Sequence, residues 1–333
     1  MKPQGKILWI DDNPERCKFA RNLEEESGFK VDFRDVKGKN LAKYLPSVLR
    51  SRRPALAIID HVLDKTASEK RIFETGASVA EIVRQTWPSC PVMCVTAVGK
   101  MESIDERTRR LYDDLFLIED FEAVLPRFPV IAHDFLRVSS SRFRKPDGLL
   151  RLLDVPPQDR QRLLAVLPQD LKTGFADRSL ASRLYAWVDH VLLERPGFLY
   201  NDLWTATFLG ITTKAFHTKV ESRFREAVYK GLFAFPNRKR WWTTTLAAIL
   251  YRLCPPQPGE MPWEAGRRLR SIARRDYSEC YVCRKHSPPP QIAGYLDASS
   301  DERQPMHLEC TVSHPGFKKE MFFEEIRMMK GRK

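Results

Sequence analysis

Lys6-Ile-Leu-Trp-Ile-Asp-Asp-Asn-Pro14 is the stretch that decides how this chain is read. Lys6 to Ile10 is an apolar run of strand length, and it delivers two carboxylates, Asp11 and Asp12, at its end. Asn13-Pro14 then supplies an N-cap and a first-turn proline, which predicts a helix to about Glu26. The same order recurs downstream. Leu56-Ala-Ile-Ile59 ends on Asp60, and Pro91-Val-Met-Cys-Val95 ends on Thr96. Lys30 to Asp35 reads as the second strand and Asp114 to Ile118 as the fifth, the latter followed by helix to about Val138. Leu41 to Arg50 and Ala77 to Trp87 read as intervening helices. Strands alternating with helices predict a doubly wound five-stranded parallel α/β sheet. Ligands of such sheets bind beyond the carboxyl ends of the strands, so Asp11, Asp12, Asp60 and Thr96 are expected in one crevice.

The acidic pair, the Ile58-Ile59-Asp60 strand end, Val95-Thr96-Ala97 and the five-fold order together resemble the receiver domain of two-component response regulators. The resemblance covers about residues 5–138 and implies the strand order 2-1-3-4-5. It implies that Asp60 is a phospho-acceptor served by a partner histidine kinase. Asp11, Asp12 and the backbone carbonyl of Val62 would hold Mg²⁺, an ion suited to oxygen ligands. Thr96 would hydrogen-bond the phosphoryl group. Clustered acids repel one another unless a cation sits among them. The family's fourth and fifth helices often mediate dimers, which leaves a homodimer open.

Two departures weigh against a simple transfer of that role. The family carries a lysine at the end of the fifth strand, whereas this chain aligns Glu119 there, and a carboxylate would repel a phosphoryl group. Lys100 on the neighbouring loop is the available substitute. The stretch from Asp60 to Gly76 is also longer than the family's loop and lacks its proline. Three readings stay open: a working phospho-switch, a degenerate receiver kept for docking, and an unrelated flavodoxin-like fold with solvated acids.

At 333 residues there is room for two or three domains, and 43% hydrophobic with 30% charged residues describes a globular protein. No apolar run reaches the ~18 residues of a membrane span, and no signal peptide is expected. Seven cysteines, an odd number, favour thiols or metal in a reducing compartment, hence the cytoplasm. Residues 1–140 carry 23 basic and 22 acidic side chains, whereas residues 141–333 carry 33 and 21. The basic half is expected to meet a polyanion, DNA above all, unless its surface is simply solvated.

The expected organisation is residues 1–138 as the first domain, a linker at 139–148, a helical domain at 149–255 and a basic zinc-binding domain at 256–333. Asn201 caps a helix from Asp202 to Leu209, Gly210 breaks it, and Ile211-Thr212-Thr213 opens a longer helix from Lys214 to about Lys230. Phe216, Val220, Phe224 and Val228 mark its buried face. Leu232–Phe235, a basic turn and Trp241–Thr244 then read as a hairpin. Residues 198–245 resemble a winged helix, a fold that puts its second helix in the major groove. That likeness implies DNA contacts from Thr213, Lys214, His217, Lys219, Arg223 and Arg225, and phosphate contacts from Arg238, Lys239 and Arg240. A protein-binding use of the same fold is the alternative. Trp241 and Trp242 are expected in the core.

Cys280-Tyr-Val-Cys283 and, 23 residues later, His307-Leu-Glu-Cys310 offer three thiolates and an imidazole. That set suits tetrahedral Zn²⁺, and four protein ligands make the site structural. His286 and His314 are nearby substitutes. The arrangement resembles a treble-clef finger, followed by a basic, helical tail bearing Lys318, Lys319, Arg327, Lys330, Arg332 and Lys333. Some treble clefs are nucleases, but His307 is already used as a ligand, so no enzyme is expected. The resulting expectation is a signal-responsive DNA-binding regulator, with an adaptor whose receiver docks a partner protein as the alternative.

Overall fold

The structure is a computed structural model that describes residues 5–50, 52–63, 75–102, 104–141, 146–173, 179–286, 291–296, 303–307, 310 and 317–319. The chain forms two compact units. The first comprises residues 1–145, 169–186 and 235–237, and the second comprises residues 146–168, 187–234 and 238–333. Both domains expected after residue 148 thus lie largely in the second unit, while residues 169–186 pack with the first. Tyr185 illustrates why: its hydroxyl donates to Asp114 at 2.6 Å.

The first unit is the expected sheet. β1 (Lys6–Asp11), β2 (Lys30–Asp35), β3 (Leu56–Ile59), β4 (Val92–Thr96) and β5 (Asp114–Leu117) pair in parallel in the order β2-β1-β3-β4-β5. Alternating side chains serve opposite faces. Leu8, Ile10, Ala57, Ile59 and Cys94 share one core with Leu45, Val48, Val79 and Val83 of α2 (Leu41–Leu49) and α3 (Gly76–Thr86). Trp9 instead meets Phe121, ring centroids 5.3 Å apart, and Phe121 stacks on Phe128 of the helix Arg127–Ser140. Asn13 accepts from the Glu15 N–H at 3.0 Å, Pro14–Arg16 forms a tight turn, and α1 (Cys17–Ser27) follows. The αL residue Gly28 ends α1.

The second unit departs from expectation in its middle. The helix Asp202–Phe208 is capped by Asn201 and stopped at Gly210, which has φ +67°. The next helical stretch runs from Thr213 to Ala227, shorter than expected. It widens to π-type turns over Phe216–Val220 and tightens to 3₁₀ over Glu221–Ala227, with Phe224 outside helical geometry. Its buried face is Phe216, Val220, Phe224 and Ala227, with Val228 half-buried.

The expected hairpin is not formed. Leu232–Phe235 is a turn with Phe233 at φ +60°, and the Leu232 N–H donates to the Leu152 carbonyl. A Cβ on Gly231 would stand 2.5 Å from the Leu153 carbonyl carbon, so this turn is pressed against backbone and has no free edge for a wing. β6 (Leu199–Tyr200) and β7 (Trp241–Trp242) pair antiparallel, and Thr243–Leu253 is a helix. Both tryptophans are core residues.

The expected finger joins the same unit. Ile211 bridges Tyr277, the Thr212 N–H donates to the Asp276 carbonyl at 2.8 Å, and Ser278 N–H donates to Gly210 at 3.1 Å. β8 (Gln291–Leu296) pairs with β9 (Arg303–His307) and with β10 (Phe317–Lys319), both antiparallel. Strand β10 thus begins the stretch expected as a helical tail. Arg327, Lys330, Arg332, Lys333 and His314 lie outside the described residues. The ends of the expected linker are helical, in Arg127–Ser140 and Pro146–Leu152. No helix among the described residues is long and apolar enough to cross a membrane.

Candidate functional site

Parallel strands bring their carboxyl ends together, and the predicted crevice forms there. Asp11 ends β1, Asp60 follows β3, and Thr96 ends β4, all three wholly buried. Asp12 is half-buried. One oxygen of each of Asp11, Asp12 and Asp60 lies within 4.8 Å of the others. Gly76 closes the floor: a Cβ there would stand 1.9 Å from the Asp60 carbonyl oxygen. Val62 forms an isolated bridge with Thr75. Residues 64–74 of the long loop lie outside the described residues.

The sequence reading missed Arg16. Its Nη1 stands 3.0 Å from Asp11 Oδ2 and 3.1 Å from Asp60 Oδ2, and the residue is only 7% exposed. The turn after Asn13 folds it back over β1, with Arg16 N–H donating to the Asn13 carbonyl. In the sequence it lies within the stretch expected as helix to about Glu26, and nothing in its spacing sets it apart. Lys100 Nζ, considered as the substitute cation, is 3.8 Å from Asp60 Oδ2. It stands on α4 (Val98–Met101), directly after Thr96-Ala97. Glu119 is exposed, and its Oε1 accepts from the Val98 N–H at 3.4 Å, at the start of that helix.

The electrostatics follow from burial and these cations. Burial pushes the Asp11 carboxyl up to about 6, against the pull of Arg16 and with the push of Asp60. Burial also works against the Arg16 charge, but Asp11 and Asp60 outweigh it and hold the guanidinium above its ordinary value. His61 is held below the ordinary histidine range by burial. Asp60 Oδ1 and Thr96 Oγ1 are buried without a hydrogen-bond partner among the described residues.

Mg²⁺ fits the spacing of the carboxylates but not their electrostatics. The Asp11 oxygens already accept from Trp9 Nε1 at 3.1 Å, Asn13 N at 2.8 Å and Arg16 Nη1 at 3.0 Å. A divalent ion there would face the guanidinium. The residues present do not make a Mg²⁺ site while Arg16 holds this place.

The Cys/His cluster does form. Cys280–Cys283 is a tight turn closed by Arg284, whose N–H donates to the Cys280 carbonyl at 2.9 Å with φ +58°. Tyr281 N–H donates to Pro305 at 2.8 Å, tying the turn to β9, which ends on His307. His307 Nδ1 is 3.2 Å from Cys283 Sγ and 3.9 Å from Cys310 Sγ, and all four donor atoms lie within 4.8 Å of one another. Tetrahedral zinc spaces sulfur and nitrogen ligands about 3.5 Å apart, so the donors fit. Burial opposes the Cys280 thiolate, but N–H groups of Cys283, His307 and Val282 outweigh it and hold that thiol down. Desolvation and the neighbouring Cys280 and Cys283 push Cys310 up to about 12. Three such thiols need a cation to ionise together. His286 is held elsewhere, by Glu279 and the Ser278 carbonyl.

The residues expected on DNA divide. His217 bridges Asp202 at 3.0 Å and Glu221 at 2.8 Å, and Lys219 pairs with Asp276 at 2.6 Å. Arg238 binds Asp189 and Glu194, and Lys239 pairs with Glu221 at 2.7 Å. Arg240 is buried and donates to the Leu193 carbonyl. No wing tip presents them. Lys214, Arg223 and Arg225 are exposed, and Thr213 is half-buried.

The chain matches no protein-family model and no curated protein sequence. Similar solved structures include a CheY-like receiver domain from Methanospirillum hungatei, 14% identical, with 40% of this chain and 96% of that chain covered and a TM-score of 0.31. A two-component response regulator from Clostridium difficile is 20% identical over 41% of this chain and all of that chain, TM-score 0.30. The response regulator TrrA from Thermotoga maritima, solved with Mg²⁺ and BeF, is 19% identical over 36% of this chain and 95% of that one, TM-score 0.27.

Proposed function

We propose that this chain is a signal-responsive regulator and not an enzyme acting on other molecules. Its first unit is a receiver-like input that accepts a phosphoryl group on Asp60, and its zinc-organised second unit is a DNA-contacting output. The observation that carries the input reading is the pair of buried, unpartnered oxygens, Asp60 Oδ1 and Thr96 Oγ1, at adjacent strand ends. Buried polar atoms are rarely left unpaired, and where they are a ligand is a common reason. Transfer forms a P–O bond to Asp60 Oδ1 as the P–N bond of a kinase phosphohistidine breaks, the imidazole keeping the electron pair. Thr96 Oγ1 donates to the arriving phosphoryl oxygens, and Lys100 and Arg16 supply positive charge from the side of Oδ2. Lys100 thereby stands in for the lysine that Glu119 displaces.

The test is intact mass after incubation with phosphoramidate. A gain of one phosphoryl group, lost in Asp60→Asn, is expected. No gain in the wild type, with the fold intact, would overturn the reading. The alternative, an adaptor that docks a partner protein, is favoured by one observation: His217, Lys219, Arg238, Lys239 and Arg240 are committed within the chain. Zinc on Cys280, Cys283, His307 and Cys310 would serve either output by holding the turn to β9.

A further inference from the structure

We infer that Arg16 is a resident cation that takes the place of a divalent metal in the acid crevice, so that the site meets its anion without a metal ion. The inference concerns the crevice's charge balance and stands whether or not Asp60 is phosphorylated.

Three observations carry it. One guanidinium nitrogen lies between two wholly buried carboxylates, at 3.0 Å from Asp11 Oδ2 and 3.1 Å from Asp60 Oδ2. An arginine charge is permanent, so this cation does not titrate away at ordinary pH. Second, Asp11 is largely committed: Oδ2 accepts from Trp9 and Arg16, and Oδ1 from the Asn13 N–H. Mg²⁺ demands near-octahedral ligands at about 2.1 Å and would have to displace those donors. Third, the charge is nearly met. Asp11, Asp12 and Asp60 face Arg16 and Lys100, which leaves a net of about one negative charge where three bare carboxylates would demand a divalent ion.

What remains unsatisfied is one nucleophilic oxygen and one hydroxyl donor. Asp60 Oδ1 is the acceptor atom of the proposed transfer and Thr96 Oγ1 is a hydroxyl donor. With Arg16 and Lys100 beside them, the crevice offers cations to an incoming anion. Arg16 holds Asp11 and Asp60 together as a metal would, from the protein's own chain, and its place after the Asn13-Pro14 turn makes it part of the fold. Arg16 is a positioning residue in this scheme: it fixes Asp60 and neutralises the cluster.

The experiment is a Mn²⁺ titration of the zinc-loaded full-length chain, read by loss of the free-ion electron paramagnetic resonance signal, with Mg²⁺ as competitor. Wild type is expected to bind at least about tenfold more weakly than Arg16→Met. Asp11→Asn added to Arg16→Met should abolish the gained site. Arg16→Lys, which keeps the charge, should stay as refractory as wild type. Equal affinity of wild type and Arg16→Met would overturn the inference. If Arg16→Met does not fold, wild type decides alone: Mg²⁺-competed binding at micromolar Mn²⁺ overturns the inference, and no such binding up to millimolar Mn²⁺ upholds it. No phosphodonor enters this test, so its failure is separable from failure of Asp60 phosphorylation.

Discussion

Asp11 is pulled in two directions, because its burial favours the neutral acid while Arg16 favours the carboxylate, and burial prevails to about 6. A carboxyl raised on folding contributes stability that is complete below its unfolded value, near 3.8, and is lost as pH climbs through about 6. The Trp9 indole N–H donates to Asp11 Oδ2, so its proton resonance should move with a midpoint near pH 6, and Asp11→Asn should remove that step. A second expectation concerns Gly76. Its Cβ position meets backbone at 1.9 Å, which cannot swing aside as a side chain would. Gly76→Ala should cost about 3 kcal/mol by calorimetric melting and shift Asp60 out of place. At this scale Asp11, Asp60 and Thr96 were legible, because each ends an apolar run and strand ends converge by topology. Arg16 was not, because its role depends on a turn that doubles back, and spacing along a helix says nothing of that. Lys100 was legible as the substitute cation on the neighbouring loop, and its reach to Asp60 is set by the short helix after Thr96.

The sheet could be read from its elements because a buried parallel strand carries a near-continuous apolar run, and β1, β3 and β4 do, at Ile7–Ile10, Leu56–Ile59 and Val92–Val95. The wing could not. Leu232–Phe235 has strand composition, but its backbone is turned by contact with Leu152 and Leu153, residues some eighty positions away. The clustering of Cys280, Cys283, His307 and Cys310 was legible from spacing, while the attachment of their turn to Gly210–Thr212 was not. That attachment has a consequence. If zinc fills the Cys/His cluster, removing it should loosen the Cys280–Cys283 turn and its ties through Tyr281 to β9, together with the Asp276 and Ser278 bonds. Chelation, or Cys283→Ser, should therefore lower the melting of the second unit and raise amide exchange at Ile211 and Thr212, leaving β1 to β5 protected. Unchanged exchange at Thr212 would mean that the turn from Gly210 to Thr212 stands without the metal site.

At the level of the whole chain, the charge asymmetry of the sequence is real, but the fold spends much of it internally. Residues 141–333 carry an excess of basic side chains, and five of the nine residues expected on DNA are bound to carboxylates or carbonyls of the same unit. Net charge governs long-range attraction, whereas the salt dependence of binding counts the cations that neutralise phosphates. The two measures should separate here. If Lys214, Arg223 and Arg225 carry the contact, log affinity for duplex DNA should fall against log salt with a slope of about −2.7. If all eight basic residues once expected there engaged, the slope would be about −7. A fluorescence-anisotropy titration at several salt concentrations measures it, and the triple change of Lys214, Arg223 and Arg225 to alanine should flatten the dependence. A slope near −7 would mean that the internal ion pairs open on the DNA. Binding that ignores salt would remove DNA from the account and leave the second unit as a surface for a protein partner.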